Sequence, residues 1–537
     1  MGGEMTVEEY DYIVVGAGSA GCVLADQLSK SGKFRVLVLE AGGSDARMWI
    51  KIPVGYAVNY ANPVLNWGYH TDADQGLAGR KNYWPRGRVI GGSSSINAMA
   101  YIRGQARDFD DWAAAGATGW DWSAVRGTYA GMEAHSGEAP SDKPIWVQDL
   151  SDQMHPFSKR FLSAAPQAGY EVVDDLNREG AEGMGFYRSN VRRGRRWSAA
   201  DAFLRPAMRR ANLRVKTRAH VTHLDFVGTR VAGLTYSRRG KIHRVTARQQ
   251  VILSGGAINT PQILQLSGLG PAELLRSHGI KVQRDLPQVG QGLQDHLAIT
   301  HQFRANTTTL NATLGNPVGR LLAGMRYVLS RRGPLSVPVN QVGGFVRSHA
   351  QATAPDMQLF CNPASYEISP DGQIVLDRGA GYLMSAQACR PTSRGAVQIR
   401  SADYREAPSI QPNSLSTEGD RQTAIRASRL IRTLSQTAAM QAVSAGAKCT
   451  EFEQMDDDAL LDDFRNRATT VYHPTCTCRM GRDAQDSVVN ERLQVHGVPG
   501  LRVVDASAFP NITSGNTNAP TMMLAMRAAR MILQDAG

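Results

Sequence analysis

No stretch of this chain reaches the ~18–20 uninterrupted apolar residues that a transmembrane helix needs. The most apolar C-terminal segment, residues 521–533, is broken by Arg527 and Arg530. Nor is a secretory leader expected from the opening MGGEMTVEEYDY, which is acidic where a signal peptide needs a basic segment and then an apolar run. Cysteine is scarce. Six in 537 residues do not make a disulfide scaffold. Cys476 and Cys478 are too close for the usual zinc knuckle and have no second cluster, so no metal site is expected. Free thiols and a cytoplasmic location are the expectation, with peripheral attachment to a membrane left open. Acidic residues are outnumbered 48 to 60, for a net charge of +12, but the positive residues are scattered. The one dense run, Arg192-Arg193-Gly194-Arg195-Arg196, is short and has only Trp197 beside it, which argues for a solvated loop and against nucleic acid.

What is present is an ordinary globular composition, 42% hydrophobic and 20% charged, with 53 glycines. The length calls for two or more domains, and no internal repeat is visible. Near the start, the apolar run 12–15 leads into Gly16-Ala17-Gly18-Ser19-Ala20-Gly21 and then an apolar helical pattern. A second strand, 34–39, ends on Glu40. The three glycines have distinct physical roles. Gly16 allows the tight turn, Gly18 lets a pyrophosphate touch the backbone, and Gly21 lets helix and strand pack closely. The helix N-terminus offers N–H groups to the phosphates. Glu40 can accept from ribose hydroxyls and would repel a 2′-phosphate. A bound ADP moiety follows, without a choice between NAD and FAD.

Two further segments stand out. Residues 87–97 (Gly87-Arg88-Val89-Ile90-Gly91-Gly92-Ser93-Ser94-Ser95-Ile96-Asn97) could be a polar surface loop. Small residues alternating with Ile90, Ile96 and Met99 argue instead for a loop that lines a ligand. Residues 256–270 follow the strand 251–253, with Thr260 expected to cap a helix starting at Pro261 and Gly268 to end it. Together these segments resemble the two signatures of the glucose–methanol–choline (GMC) oxidoreductases. The resemblance continues through Asn66-Trp67, residues 198–204, Val289-Gly290, residues 293–296 and the block from His473 to Pro520. Within the family, residues 472–478 look most like L-sorbose dehydrogenases and related bacterial alcohol dehydrogenases, although the commoner pattern has glycine where Cys476 stands.

The resemblance implies an α/β chain with a Rossmann-like FAD domain and a second, α+β substrate domain on an antiparallel sheet. FAD would be held by Gly16, Gly18, Ser19, Ala20, Gly21, Glu40, Ala41, Trp67, Arg88, Val89, Gly92, Ser93, Asn97, Ala98, Met99, Ala100, Val221, Tyr472, Asp505, Ala506 and Asn518. The histidine that carries a covalent flavin in some members falls on Ile96, so the FAD would be non-covalent. The family's catalytic pair falls on His473 and Asn516. A base at His473 would take the hydroxyl proton while the carbon-bound hydride goes to flavin N5, and the Asn516 amide would hold the alkoxide. Cys476 and Cys478, beside that base, read either as a redox pair or as buried inert thiols.

The implied FAD domain takes residues 6–155, 205–300 and 480–537. The substrate domain takes 156–204 and 301–479, with strands near 343–346, 357–360 and 395–399 and a Pro-containing helical lid over 311–342. Asn340, Gln341 and Tyr472 are expected in the substrate pocket. The lid end offers no carboxylate, which disfavours choline and favours a primary alcohol, polyol or sugar. Electrons would pass to a quinone, dye-like or protein acceptor. An oxidase using O2, a flavin-containing lyase and a non-catalytic flavin-binding protein are the alternatives.

Overall fold

Five parallel strands run through the centre of the nucleotide half. In the computed structural model, which describes residues 8–139 and 141–537, they lie in the order Leu213–Thr217, Val36–Glu40, Glu8–Val15, Lys241–Leu253 and Leu501–Val503. Residues 6 and 7, the expected start of this domain, lie outside the described residues. Val36–Glu40 is buried along its whole length, as befits a parallel strand covered on both faces. The thirteen-residue strand Lys241–Leu253 pairs in parallel at its far end. Its first half turns to an antiparallel ladder with Arg230–Arg238, which pairs in turn with Ala219–Val227.

Glycine fixes the closest approaches. A Cβ on Gly21 would stand 1.9 Å from the carbonyl oxygen of Gly16, so helix Ser19–Ser29 meets the preceding turn backbone to backbone. A Cβ on Gly92, at φ +52°, would lie 2.7 Å from the Cα of Gly18. The nucleotide loop and the first signature loop are therefore pressed face to face, a contact with no room for a side chain.

The helix of the second signature differs from expectation. It spans Gly256–Leu266 with Pro261 inside it, so Thr260 is no cap. The Thr260 hydroxyl accepts from Gly255 N (3.0 Å) and donates to Asp505 (2.6 Å). Pro261 has no N–H for the carbonyl four residues back, that of Ala257. The Thr477 hydroxyl donates to it instead, at 2.7 Å, which is why the proline is tolerated mid-helix. At the other end of the chain, helix Asn518–Asp535 packs on Ser19–Ser29.

A second sheet, wholly antiparallel along its main path, has the order Ser444–Ala447, Leu297–Ala305, Gly381–Ala388, Met357–Asn362, Val342–Val346 and Gly183–Phe186. Strand Leu297–Ala305 crosses the boundary expected at residue 300. The strand expected at 395–399 forms as Gly395–Gln398, but in a separate three-stranded sheet with Gln291–Leu293 and Ser409–Gln411. The lid region contains two helices, Leu310–Leu314 and Pro317–Ser330. Among the described residues no helix is long and apolar enough to cross a membrane.

Thr477→Val is expected to lower stability by about 1–3 kcal/mol, because it leaves the buried Ala257 carbonyl without a donor, while Thr477→Ser costs less. Coincident denaturant midpoints for the two variants would show that the bond carries no such weight.

Candidate active site

The two sheets enclose one long cleft. At its nucleotide end it is lined by Gly16, Gly18, Ser19, Ala20, Glu40, Ala41, Val221, Asp505 and Ala506. Glu40 accepts from Ala17 N (2.9 Å) and Gly42 N (2.8 Å), and burial pushes its carboxyl up to about 7 despite both bonds. Helices Ser19–Ser29 and Asn518–Asp535 bring their N-termini together here, where Ser19 Oγ donates to Asn518 Oδ1 at 2.7 Å. Two converging positive helix ends suit a diphosphate. Trp67, Gly92, Ser93, Asn97, Ala98, Met99 and Ala100 line the middle.

Four expected residues do not line the cleft. Gly21 acts through packing. Arg88 lies over the Trp67 ring, 4.7 Å from its centroid, and Val89 is buried with Ile50, Leu65 and Ile96. Gln341 is the clearest correction. Asn340 lines the cleft, but Gln341 is buried behind it, accepting from His155 N (2.8 Å) and Ser158 Oγ (2.9 Å). Adjacent residues of extended chain point to opposite faces, so only one of the pair could face inward.

Arg86 was not anticipated. Its guanidinium reaches the cleft and donates to Tyr472 O (2.7 Å) and Ser93 Oγ (2.8 Å). Burial lowers its pKa to about 10, so it stays charged at neutral pH. Nothing in the sequence around it shows that this one arginine turns inward. Tyr56, Tyr60 and Tyr366 also line the cleft beside Tyr472. The Tyr60 ring sits 5.5 Å from Tyr56 and 5.3 Å from Tyr472. This aromatic wall gathers three separate stretches of chain, which no local pattern announces.

At the far end, His473 and Asn516 meet. Asn516 Nδ2 donates to His473 Nε2 at 3.1 Å, and Asn516 Oδ1 accepts from Gln358 Nε2 at 3.4 Å. The His473 backbone N–H donates to Asp295 Oδ1 at 2.7 Å. Burial pushes the Asp295 carboxyl up to about 7. Behind His473 stands His296, with Nδ1 to Nδ1 at 3.0 Å, and His296 Nε2 lies 2.9 Å from the Cys389 carbonyl. A carbonyl can only accept, so His296 carries its proton on Nε2. Burial lowers the His296 pKa to about 4, so the ring is neutral and its Nδ1 is bare. His473 must then donate from Nδ1, which leaves the Nε2 lone pair facing Asn516 and the cleft. Burial first, then repulsion from His296 and Arg86, holds the His473 pKa well below the usual imidazole value.

A profile of the GMC oxidoreductases matches residues 10–298 with its amino-terminal part and 391–525 with its carboxy-terminal part. The chain belongs to the GMC oxidoreductases. It is 40% identical to human mitochondrial choline dehydrogenase over 543 residues, covering 99% of this chain and 91% of that protein. It is also 40% identical to an alcohol dehydrogenase [acceptor] of Pseudomonas putida, covering 98% and 96%. The crystal structure of pyridoxine 4-oxidase from Mesorbium loti superposes with a TM-score of 0.88 at 29% identity, covering 97% and 98%. A particular likeness to L-sorbose dehydrogenases is not among these findings. Members of the family bind FAD, and the residues present fit it: Gly16, Gly21 and Gly92 leave no room for a Cβ, and two converging helix N-termini suit a diphosphate.

Cys476, where the resemblance leads one to expect glycine, sits at φ +73°, and Tyr472, four residues earlier, at +71°. A left-handed backbone there is one that glycine adopts most easily. Cys476 and Cys478 are buried and unpaired. Burial pushes the Cys476 thiol up to about 11 and the Cys478 thiol well above its ordinary value, so neither is a ready thiolate.

Nitrogen-15 spectra of histidine-labelled protein should show His473 neutral, with its proton on Nδ1, to well below the ordinary imidazole pKa of about 6.5. Titration at that ordinary value would contradict the buried network.

Proposed function

We propose that this GMC oxidoreductase oxidises a neutral primary alcohol with an apolar body, using His473 as base and Asn516 as the group that orients the hydroxyl. The observation that carries this reading is the bare Nε2 of His473, fixed from behind and opposed by the Asn516 amide. The alcohol hydroxyl would displace the Asn516 contact and donate to Nε2. As the proton moves, the amide would donate to the oxygen that develops negative charge. Neutral His473 needs no prior deprotonation. Asp295 anchors its backbone and His296 its ring.

Bound flavin supplies the hydride acceptor. Gly16, Gly18, Ser19, Glu40, Asp505 and Asn518 would hold the nucleotide half, and the 92–100 loop the ring half. The flavin would be non-covalent, since an aliphatic Ile96 stands where a histidine would be needed. Arg86, charged and aimed into the cleft, would favour the anionic reduced ring. The relative from Pseudomonas putida, an alcohol dehydrogenase [acceptor], supports transfer to an acceptor other than oxygen.

The substrate half is lined by Tyr56, Tyr60, Phe360, Tyr366, Ile368, Leu383 and Tyr472, with Asn340, Asn362, Ser385, Thr300, Thr469 and Thr470 among its polar groups. Apolar walls favour a hydrocarbon body over a polyol or sugar. A second reading, choline, gains from the four tyrosines, an aromatic surface that suits a quaternary ammonium, and from the relatives. Against it, both carboxylates in the lining, Glu40 and Asp505, lie at the nucleotide end, and Arg86 repels a cation.

His473→Ala should keep its yellow flavin and lose at least roughly a hundredfold in kcat; an unchanged rate would remove His473 from the chemistry. Anaerobic mixing with alkanols, benzyl alcohol, sorbose and choline should bleach the flavin fastest with the apolar alcohols, and admitted air should restore the colour only slowly. Faster bleaching by choline would move the second reading to first place, and rapid reoxidation would make the enzyme an oxidase.

A further inference from the structure

Helix Pro317–Ser330 buries only Ala323 and Tyr327. Its large apolar side chains point the other way. Val318, Leu321, Leu322 and Met325 are exposed, and Val328 and Leu329 are 71% and 86% exposed. At 100° per residue these six fall within an arc of about 120°. A surface helix ordinarily turns such an arc to the core; this one turns it to solvent. An apolar stripe of that continuity marks a contact face.

The unpaired charges around it are mostly positive. The helix carries Arg320 and Arg326 and ends on Arg331 and Arg332, and the chain has no acidic residue between Asp295 and Asp356. The Tyr327 hydroxyl donates to the Gly194 carbonyl at 3.0 Å. That bond and the packing of Gly194 against Arg331 seat the basic run 192–196 beside the last turn of the helix, with Arg193 and Arg195 exposed. The short helix Met48–Lys51, which packs against strand Arg195–Arg196, adds the exposed side chains of Met48 and Trp49. The acids here are already paired: Asp152 with Arg332, and Asp45 and Asp201 with Lys51, each at 2.7 Å.

We propose that this face docks on an anionic phospholipid bilayer. The helix would lie in the interfacial plane, its apolar arc among the upper acyl chains and its arginines at the headgroups. Charge decides against a second copy of the chain. A twofold contact would set this arginine-rich face against itself. Helix Leu310–Leu314, just before the docking helix, packs through Leu310 and Leu314 with Tyr56 and Tyr366 of the cleft. Docking would therefore turn the substrate end of the cleft toward the lipid. The inference goes beyond the proposed reaction and does not depend on it, because vesicle binding is read without turnover.

The test is cosedimentation of the full-length holoprotein with phosphatidylcholine vesicles, with and without phosphatidylglycerol. Wild type should pellet with the anionic vesicles, less so at high salt. Leu321→Glu/Val328→Glu and Arg193→Glu/Arg195→Glu should each weaken binding by about tenfold or more while keeping flavin absorbance and turnover of a water-soluble alcohol. The proposal fails if wild type stays in the supernatant with both vesicle types, or if Leu321→Glu/Val328→Glu binds as tightly as wild type. It also fails if light scattering shows an oligomer that Leu321→Glu/Val328→Glu splits into monomers, since the arc would then be a subunit interface.

Discussion

One carbonyl sets the protonation pattern of the candidate active site. The backbone oxygen of Cys389 can only accept, so it holds the proton of His296 on Nε2, which holds the proton of His473 on Nδ1. The result is a lone pair on His473 Nε2 beside the Asn516 amide. Burial keeps both rings neutral. Were either imidazole solvated and partly charged, both ring nitrogens would donate and the pattern would dissolve. The proposed chemistry thus depends on dryness as much as on the identity of the two side chains.

The same burial acts on the neighbouring charges. Arg86 stays cationic because its ordinary pKa is so high that even a large fall leaves it above neutrality. Asp295 and Glu40 are pushed up to about 7, each while accepting backbone N–H bonds that favour the ionised form. The cleft therefore holds one firm positive charge near the base and soft carboxyls behind it and at the nucleotide end, an arrangement suited to stabilising negative charge that develops between Arg86 and Asn516.

Legibility followed the backbone. The roles of Gly16 and Gly21 could be assigned from the sequence because a tight turn and a close approach leave no other residue type room, and the parallel strands could be recognised as short buried runs between turns. His473 and Asn516 could be named by resemblance, since both sit in contiguous motifs. Gln341 could not be told from Asn340, because a one-residue difference in an extended segment reverses the side chain. The start of helix Gly256–Leu266 was misplaced because proline usually opens a helix, and only the distant Thr477 hydroxyl makes it tolerable inside one.

The sequence by itself determined the family, the nucleotide fold and the two residues that meet at the end of the cleft, since these rest on local motifs and on space that only glycine leaves. Tertiary structure alone decided the tautomer of His473, the inward turn of Arg86, the aromatic wall of Tyr56, Tyr60, Tyr366 and Tyr472, and the outward turn of the apolar arc on Pro317–Ser330. Each of these depends on which distant groups a side chain meets once the two sheets have closed, and neither composition nor spacing along the chain carries that information.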